Sequence, residues 1–234
     1  MASLEDFQSG HIILIDKPLG WTSFQAVNKI RWKIRKTFNI KKIKVGHAGT
    51  LDPLATGLLL ICTGKMTKQI DTYQAQTKEY TGTITLGSTT PSFDLETEMD
   101  QTYPTEHITN DLIFKTAKGF IGEQEQLPPV FSAVKKEGKR LYEFARAGKD
   151  VDIKPRKITI KDFEITKIDG LNVNFRVVCS KGTYIRSLAN DFGQKLNSGS
   201  HLSALRRTKI GEFKVENAKS IDGFIESLNK QNES

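Results

Sequence analysis

Residues 46–59 read Gly46-His47-Ala48-Gly49-Thr50-Leu51-Asp52-Pro53-Leu54-Ala55-Thr56-Gly57-Leu58-Leu59 and hold a single carboxylate, Asp52, among small and apolar side chains. The glycines of this stretch allow backbone angles and close approaches that other residues resist. Pro53 fixes the backbone directly after the acid. A short Gly, Asp and Pro loop is usually an ordinary turn. Here it leads into an apolar segment, Leu58–Cys62, so the sequence predicts one acid on a rigid loop that enters the core.

The composition is that of a globular protein. The chain has 234 residues, of which 37% are hydrophobic and 26% charged, enough for one or two domains with a real core. The first residues lack the basic and apolar regions of a secretory signal, and the longest apolar runs are too short to span a bilayer. These observations predict a cytoplasmic protein without a membrane contact.

The charge of the chain favours an anionic partner. The net charge is +8, and eight basic residues with no acidic one lie between Asn28 and Val45: Lys29, Arg31, Lys33, Arg35, Lys36, Lys41, Lys42 and Lys44. This segment is either a surface that faces RNA or a solvated helix face, and the sequence leaves both interpretations open. Cys62 and Cys179 lie in apolar stretches and are predicted to be reduced core residues. No Cys/His cluster has the spacing of a metal site.

Hydrophobic periodicity predicts a series of regular elements. The chain should begin with a buried strand at Ile12–Ile15 and a turn at 16–20, followed by a helix capped by Thr22 or Ser23. The buried face of that helix is predicted to hold Phe24, Val27, Ile30, Ile34 and Phe38. Further predictions are a strand over 78–87, a helix over 109–120, a hairpin of strands 158–167 and 172–180 joined across Asp169-Gly170, and a helix over 221–228.

One segment departs from the regular pattern. Residues 126–140 contain two adjacent prolines, which forbid a central strand, and then a cluster of lysines. Residues 141–146 predict a short helix that Gly148 ends. Composition alone indicates a surface excursion here.

Four motifs, taken together, resemble those of the TruB family of tRNA pseudouridine synthases. They are residues 46–59, the Lys-Glu-Tyr of 78–80, the segment Cys179–Ala189 and the segment Gly199–Phe213, and they occur in the family's order within roughly residues 10 to 215. The resemblance implies an α+β catalytic domain with a largely antiparallel mixed sheet flanked by helices. It predicts one catalytic domain over residues 1–234, with a thumb inserted at about 123–154 and no separate C-terminal RNA-binding domain.

The same resemblance implies roles for individual residues. The catalytic set is Asp52, Tyr80 and Arg186, with Arg186 pairing the acid. The substrate-binding residues are His47, Tyr184, Leu205 and Lys17. Asp94 could orient Arg186, although Glu96 stands where relatives have glycine. The implied partner is the T-arm stem-loop of tRNA, and the implied enzyme is a monomer that needs no metal, cofactor or protein partner.

The implied reaction converts uridine 55 of the T-loop to pseudouridine. A glycosidase would need two cooperating carboxylates, and the central motif holds only one. The chain has no Gly-x-Gly-x-x-Gly and no P-loop, in keeping with a reaction that needs no nucleotide cofactor. Two alternatives stay open: a pseudouridine synthase that acts at another RNA position, and a non-catalytic RNA-binding or tRNA-folding module.

Overall fold

The computed structural model describes residues 2–131, 135–136, 139–140 and 153–230. Among these residues are six α-helices: α1 Leu4–Ser9, α2 Ser23–Thr37, α3 Ile70–Ala75, α4 Asn110–Lys118, α5 Ile185–Lys195 and α6 Ile221–Asn229. Two 3-10 helices span Gly64–Gln69 and Val215–Asn217.

The described residues also form fourteen strands. They are β1 Ile12–Lys17, β2 Val45–His47, β3 Ala55–Thr63, β4 Lys78–Leu86, β5 Ser88–Thr89, β6 Gln101–Thr102, β7 Gly122–Gln126, β8 Lys135–Lys136, β9 Lys139–Arg140, β10 Arg156–Asp169, β11 Asn172–Cys179, β12 Ser200–Ile210, β13 Phe213–Lys214 and β14 Lys219–Ser220. The chain divides into two compact units, Met1–Tyr80 with Leu205–Ser234, and Thr81–Ala204. Strands β4 and β12 each begin in one unit and end in the other.

The first unit is built on strand β3, whose residues Leu58 to Cys62 are fully buried. Strand β1 pairs antiparallel with β3, and β14 pairs parallel with β1. On the other side, β2 pairs antiparallel with the end of β3, and β12 pairs parallel with its beginning. A strand that is buried on both faces consists of a continuous run of apolar residues, which explains the apolar sequence of β3.

Alternate residues of β1 and β3 enter different clusters of the core. Ile13, Ile15, Leu59 and Ile61 pack with the buried residues of α2 and α6. Leu58 and Leu60 pack with Ile210, Val215 and the partly buried side chains around them. Because side chains of a strand point to alternate faces, the same strands supply both layers.

The second unit is built on the hairpin of β10 and β11, with β7 paired antiparallel to β10. Its core is aromatic: Phe163 contacts Phe120, Phe175 and Phe192 at ring-centroid distances of 5.7–6.1 Å. Edge and tilted ring contacts of this kind add to the free energy gained by burial. Helices α4 and α5 pack against each other, and α4 also contacts β10.

The predicted α+β class, with a mixed sheet and flanking helices, is confirmed. The strands at 12–15 and 78–87, the hairpin, the helix at 221–228 and the free buried cysteines are also confirmed. The turn expected from residue 16 starts two residues later, since Asp16 and Lys17 still belong to β1. No helix of the described residues is long and apolar enough to cross a membrane.

One predicted core residue is wrong. Phe24 is 68% exposed, whereas Val27, Ile30 and Ile34 are buried as expected. The buried stripe of α2 starts at Ser23, and the next residue of a helix lies about 100° further round its surface. The helix predicted at 141–146, and most of the thumb predicted at 123–154, lie outside the described residues.

Candidate active site

The loop that carries Asp52 connects β2 to β3 and is held at several backbone positions. Ser23, the first residue of α2, accepts a hydrogen bond from the Leu51 N–H at 2.8 Å and donates one to the Leu51 carbonyl at 3.0 Å. Gly20 donates its N–H to the Pro53 carbonyl at 2.8 Å. The residues on both sides of Asp52 are therefore fixed to the turn and helix that follow β1.

Arg207 holds the same loop from strand β12. Its side chain is buried, with 1% of its surface exposed. Nε donates to the Leu58 carbonyl at 2.8 Å, Nη2 to the Gly49 carbonyl at 3.0 Å and Nη1 to the Thr50 carbonyl at 3.3 Å. The planar guanidinium has donors in fixed directions, so one side chain sets the spacing between the loop and the start of β3.

Gly57 lies between two buried basic residues, one on each neighbouring strand. Lys17 of β1 lies opposite Gly57 of β3, which in turn lies opposite Arg207 of β12. Gly57 has a φ of +100°, and a Cβ there would overlap the backbone of Arg207. A glycine is therefore required by both the backbone angle and the close approach.

Lys17 is fully buried and donates Nζ to the carbonyls of Pro18 at 3.0 Å and Trp21 at 2.6 Å. Burial lowers the pKa of Lys17 to about 8, and the charge of Arg207 also lowers it, while the carboxylate of Asp52 raises it. Lys17 is thus close enough to Asp52 for their charges to interact. A lysine in such a setting titrates within the range in which enzymes are assayed.

His47 lies at the end of β2, opposite Ile61 of β3. Burial lowers the pKa of His47, and the charge of Arg207 lowers it further. A hydrogen bond with the backbone of Gly49 raises this pKa by a smaller amount. The imidazole is therefore neutral near pH 7, since its ordinary pKa is already about 6.5.

Leu205 and Tyr80 are the remaining predicted site residues of the first unit. Leu205 lies opposite Ala55 in the β12–β3 pairing, and its carbonyl accepts the Thr56 hydroxyl at 3.5 Å. Tyr80 lies on β4 and is 9% exposed. The structure places Lys17, His47 and Leu205 on strands that pair with β3, the strand into which the Asp52 loop runs.

Arg186 and Tyr184 belong to the second unit, at the start of α5. Arg186 is 5% exposed, and its Nε lies 3.6 Å from Oδ2 of the buried Asp94. Its Nη1 donates to the Ser92 carbonyl at 3.3 Å and its Nη2 to the Phe131 carbonyl at 3.0 Å. The structure thus joins Arg186 and Asp94, whereas the predicted pairing of Arg186 with Asp52 stays a prediction.

Tyr184 is fixed through its backbone. Its N–H donates to Oε1 of Gln126 at 2.8 Å, and its carbonyl accepts Nε2 of the same side chain at 3.0 Å. The buried Gln126 ends β7 and therefore connects that strand to the start of α5.

Sequence reasoning missed Ser23 and Arg207 as the residues that hold the Asp52 loop. The sequence indicates Ser23 only as a candidate helix cap, and it does not distinguish Arg207 from the other residues of the segment Gly199–Phe213. Their partners are 28 and up to 158 residues away, so no local pattern reveals these bonds. Within the described ranges no group of three or more His, Cys, Asp or Glu side chains could hold a metal ion.

Similar folds occur in solved structures of complexes that contain Cbf5 and Nop10. The chain matches a protein chain of the archaeal box H/ACA sRNP Nop10-Cbf5 complex with a TM-score of 0.71 and 28% identity, over 99% of this chain and 58% of that one. A Cbf5-Nop10-Gar1 complex gives a TM-score of 0.71 and 32% identity, over 95% and 55%. The chain therefore spans a little over half the length of these structural relatives.

Two curated relatives match this chain over nearly their whole length. The tRNA pseudouridine synthase B of Flavobacterium johnsoniae is 64% identical over 96% of this chain and 98% of the relative. That of Phocaeicola vulgatus is 54% identical over 97% and 96%. The model of the TruB family pseudouridylate synthase N-terminal domain matches residues 35–185. The chain therefore belongs to the TruB family of pseudouridylate synthases.

Proposed function

We propose that this enzyme isomerises uridine to pseudouridine at position 55 in the T-loop of tRNA, with Asp52 as its catalytic carboxylate. The relatives named tRNA pseudouridine synthase B support tRNA as the substrate. The observation that carries the assignment is the Asp52 loop, whose backbone is fixed by Ser23, Gly20 and Arg207. Catalysis requires a reacting group that is held in place before the substrate arrives.

The reaction exchanges one glycosidic bond for another within the same nucleotide. The bond between N1 and C1′ breaks, the uracil turns over, and C5 bonds to C1′. The proton leaves C5, and N1 gains one, so atoms and electrons balance without a cofactor. The Asp52 carboxylate acts at the sugar, where positive charge develops at C1′. Tyr80 stacks on the base and assists removal of the C5 proton, and Arg186 completes the catalytic set.

The other predicted residues bind the substrate. We assign His47, Tyr184, Leu205 and Lys17 to substrate binding, and the target nucleotide is flipped out of the folded loop to reach the carboxylate. The neutral imidazole of His47 and the fixed backbone of Tyr184 suit contacts to an uncharged base. The thumb at 123–154 covers the RNA loop, and the enzyme acts as a cytoplasmic monomer.

Pseudouridine mapping on an unmodified tRNA transcript tests this function. We expect the purified enzyme to form pseudouridine only at position 55, and a transcript with cytidine at that position to give no product. Asp52→Asn should abolish the reaction while tRNA affinity changes by less than about threefold, since the substitution removes one charge and little volume. Product at another position, or a fully active Asp52→Asn enzyme, would refute the assignment.

A further inference from the structure

The outer face of α2 presents an aromatic ring between two cations. Trp32 is 50% exposed, with Lys29 Nζ 5.4 Å and Lys36 Nζ 5.1 Å from its ring centroid. The three residues are spaced by three and four positions, which places them on one face of the helix. The lysines therefore lie over the indole, in the geometry of cation–π contacts.

This face lies opposite the side of α2 that packs in the described core. Helix α2 packs into the core through Ala26, Val27, Ile30 and Ile34, all buried. Lys33, the one buried lysine of the helix, is bound to the Asn229 side chain of α6. Half of a tryptophan is left in water on the opposite side, and tryptophan surface is favourable to bury.

The charge around Trp32 identifies the chemistry of a partner. Lys29 and Lys36 flank the ring, and further exposed basic residues occur in the same segment of the chain: Arg35, Lys41, Lys42 and Lys44. No acidic residue interrupts the segment from Asn28 to Val45. A flat aromatic platform among cations complements an unpaired nucleotide, whose base stacks on the ring while its phosphates contact the lysines.

We infer that Lys29, Trp32 and Lys36 form a second RNA-binding surface, which binds an unpaired nucleotide of the tRNA substrate outside the catalytic pocket. The inference rests on the proposed function in taking tRNA as the RNA. Ser23, which holds the Asp52 loop, begins the same helix, and Trp32 lies about 14 Å further along its axis. One bound tRNA therefore reaches both places.

Equilibrium binding of an end-labelled tRNA transcript, measured at several salt concentrations, tests the inference. Lys29→Gln with Lys36→Gln should weaken binding and lower the log–log salt slope by about 1.5, the value for two lost phosphate contacts. Trp32→Ala should weaken binding about tenfold and leave the slope unchanged, whereas Trp32→Phe should restore most of the affinity because it keeps a ring for stacking.

The matched control is Lys115→Gln with Lys118→Gln, which removes the same charge from the exposed side of α4. It should leave affinity and slope near the wild-type values. If the α2 variants bind tRNA as the control does, the inference is wrong. If the α2 substitutions weaken tRNA binding but the wild-type enzyme forms no pseudouridine, the proposed function is refuted and the inference about this surface still holds.

Discussion

At the scale of single residues, the loop of the proposed catalytic residue Asp52 depends on two side chains outside the proposed catalytic set. Ser23 and Arg207 bind the backbone of the Asp52 loop, and neither is exposed. A buried arginine that satisfies three carbonyls serves as a fixed support, since moving it would leave those carbonyls without donors.

Arg207→Lys tests this support. Lysine keeps the charge but lacks the planar fork of donors, so the loop should lose its fixed position. We expect kcat to fall at least about tenfold, which is about 1.4 kcal/mol of transition-state stabilisation, with tRNA affinity nearly unchanged. The control is Arg206→Lys. Arg206 pairs with the partly exposed Asp16, so this substitution should change kcat little. Equal kcat values for the two variants would contradict the role of Arg207.

Lys17 predicts a pH dependence of stability. Its pKa in the folded chain is about 8, below the ordinary 10.5, because it is buried. Between those pH values the unfolded chain binds more protons than the folded one, so Lys17 adds stability as the pH rises through this window. Relative to Lys17→Met, the wild type should gain up to about 3 kcal/mol of unfolding free energy from pH 7 to 10.5. Urea unfolding of both proteins at several pH values measures this gain. If the difference in unfolding free energy between wild type and Lys17→Met does not change with pH, the pKa of Lys17 is not lowered in the folded chain.

The sequence could predict the acid but not its supports. Asp52 is recognisable because it is the lone carboxylate of a loop rich in glycine, and that signal is local. The bonds of Ser23 and Arg207 depend on which strands pair, and the β12–β3 pairing joins residues 150 positions apart. Long-range contacts of this kind follow from the whole topology and not from spacing in the chain.

At the scale of elements, strands with a clear burial pattern could be predicted from the sequence. The apolar run of β3 and the alternation of β4 follow directly from burial on two faces and on one face. The prediction of the buried face of α2 was wrong at Phe24, which is exposed. Apolar residues occur at several angles around this helix, so the sequence alone does not show at which residue the buried stripe begins.

Gly57→Ala tests the close approach of β3 and β12. Alanine at this position meets both a positive φ and the Arg207 backbone, so the unfolding free energy should fall by about 3 kcal/mol. Gly170→Ala is the control, since Gly170 has a φ of +57° with open space around it and should lose only about 1 kcal/mol. Urea unfolding compares the two, and equal losses would show that the strands tolerate a side chain between them.

At the scale of the whole molecule, the proposed contacts concern one compact part of the RNA. The predicted site residues other than Lys17 all lie in the four family motifs, and recognition of RNA loops relies on shape and on splayed bases. A single stem-loop should therefore supply most of the binding energy.

An isolated T-arm stem-loop should be modified with a kcat/KM within about one order of magnitude of full-length tRNA. The two substrates are compared at one salt concentration, because the phosphate contacts make affinity depend strongly on salt. A stem-loop that lacks the target uridine serves as the control. A thousandfold deficit of the stem-loop would show that distant parts of the tRNA are essential.

The hydrogen bonds from Arg207 to the Asp52 loop have a consequence for the chain while it is being translated. A ribosome adds roughly 5 to 20 residues per second, so roughly 8 to 30 s separate the translation of the acid from that of the arginine that holds its loop. Nascent chains therefore contain Asp52 before the arginine that holds its loop has been translated, and products terminated before Arg207 should form no pseudouridine.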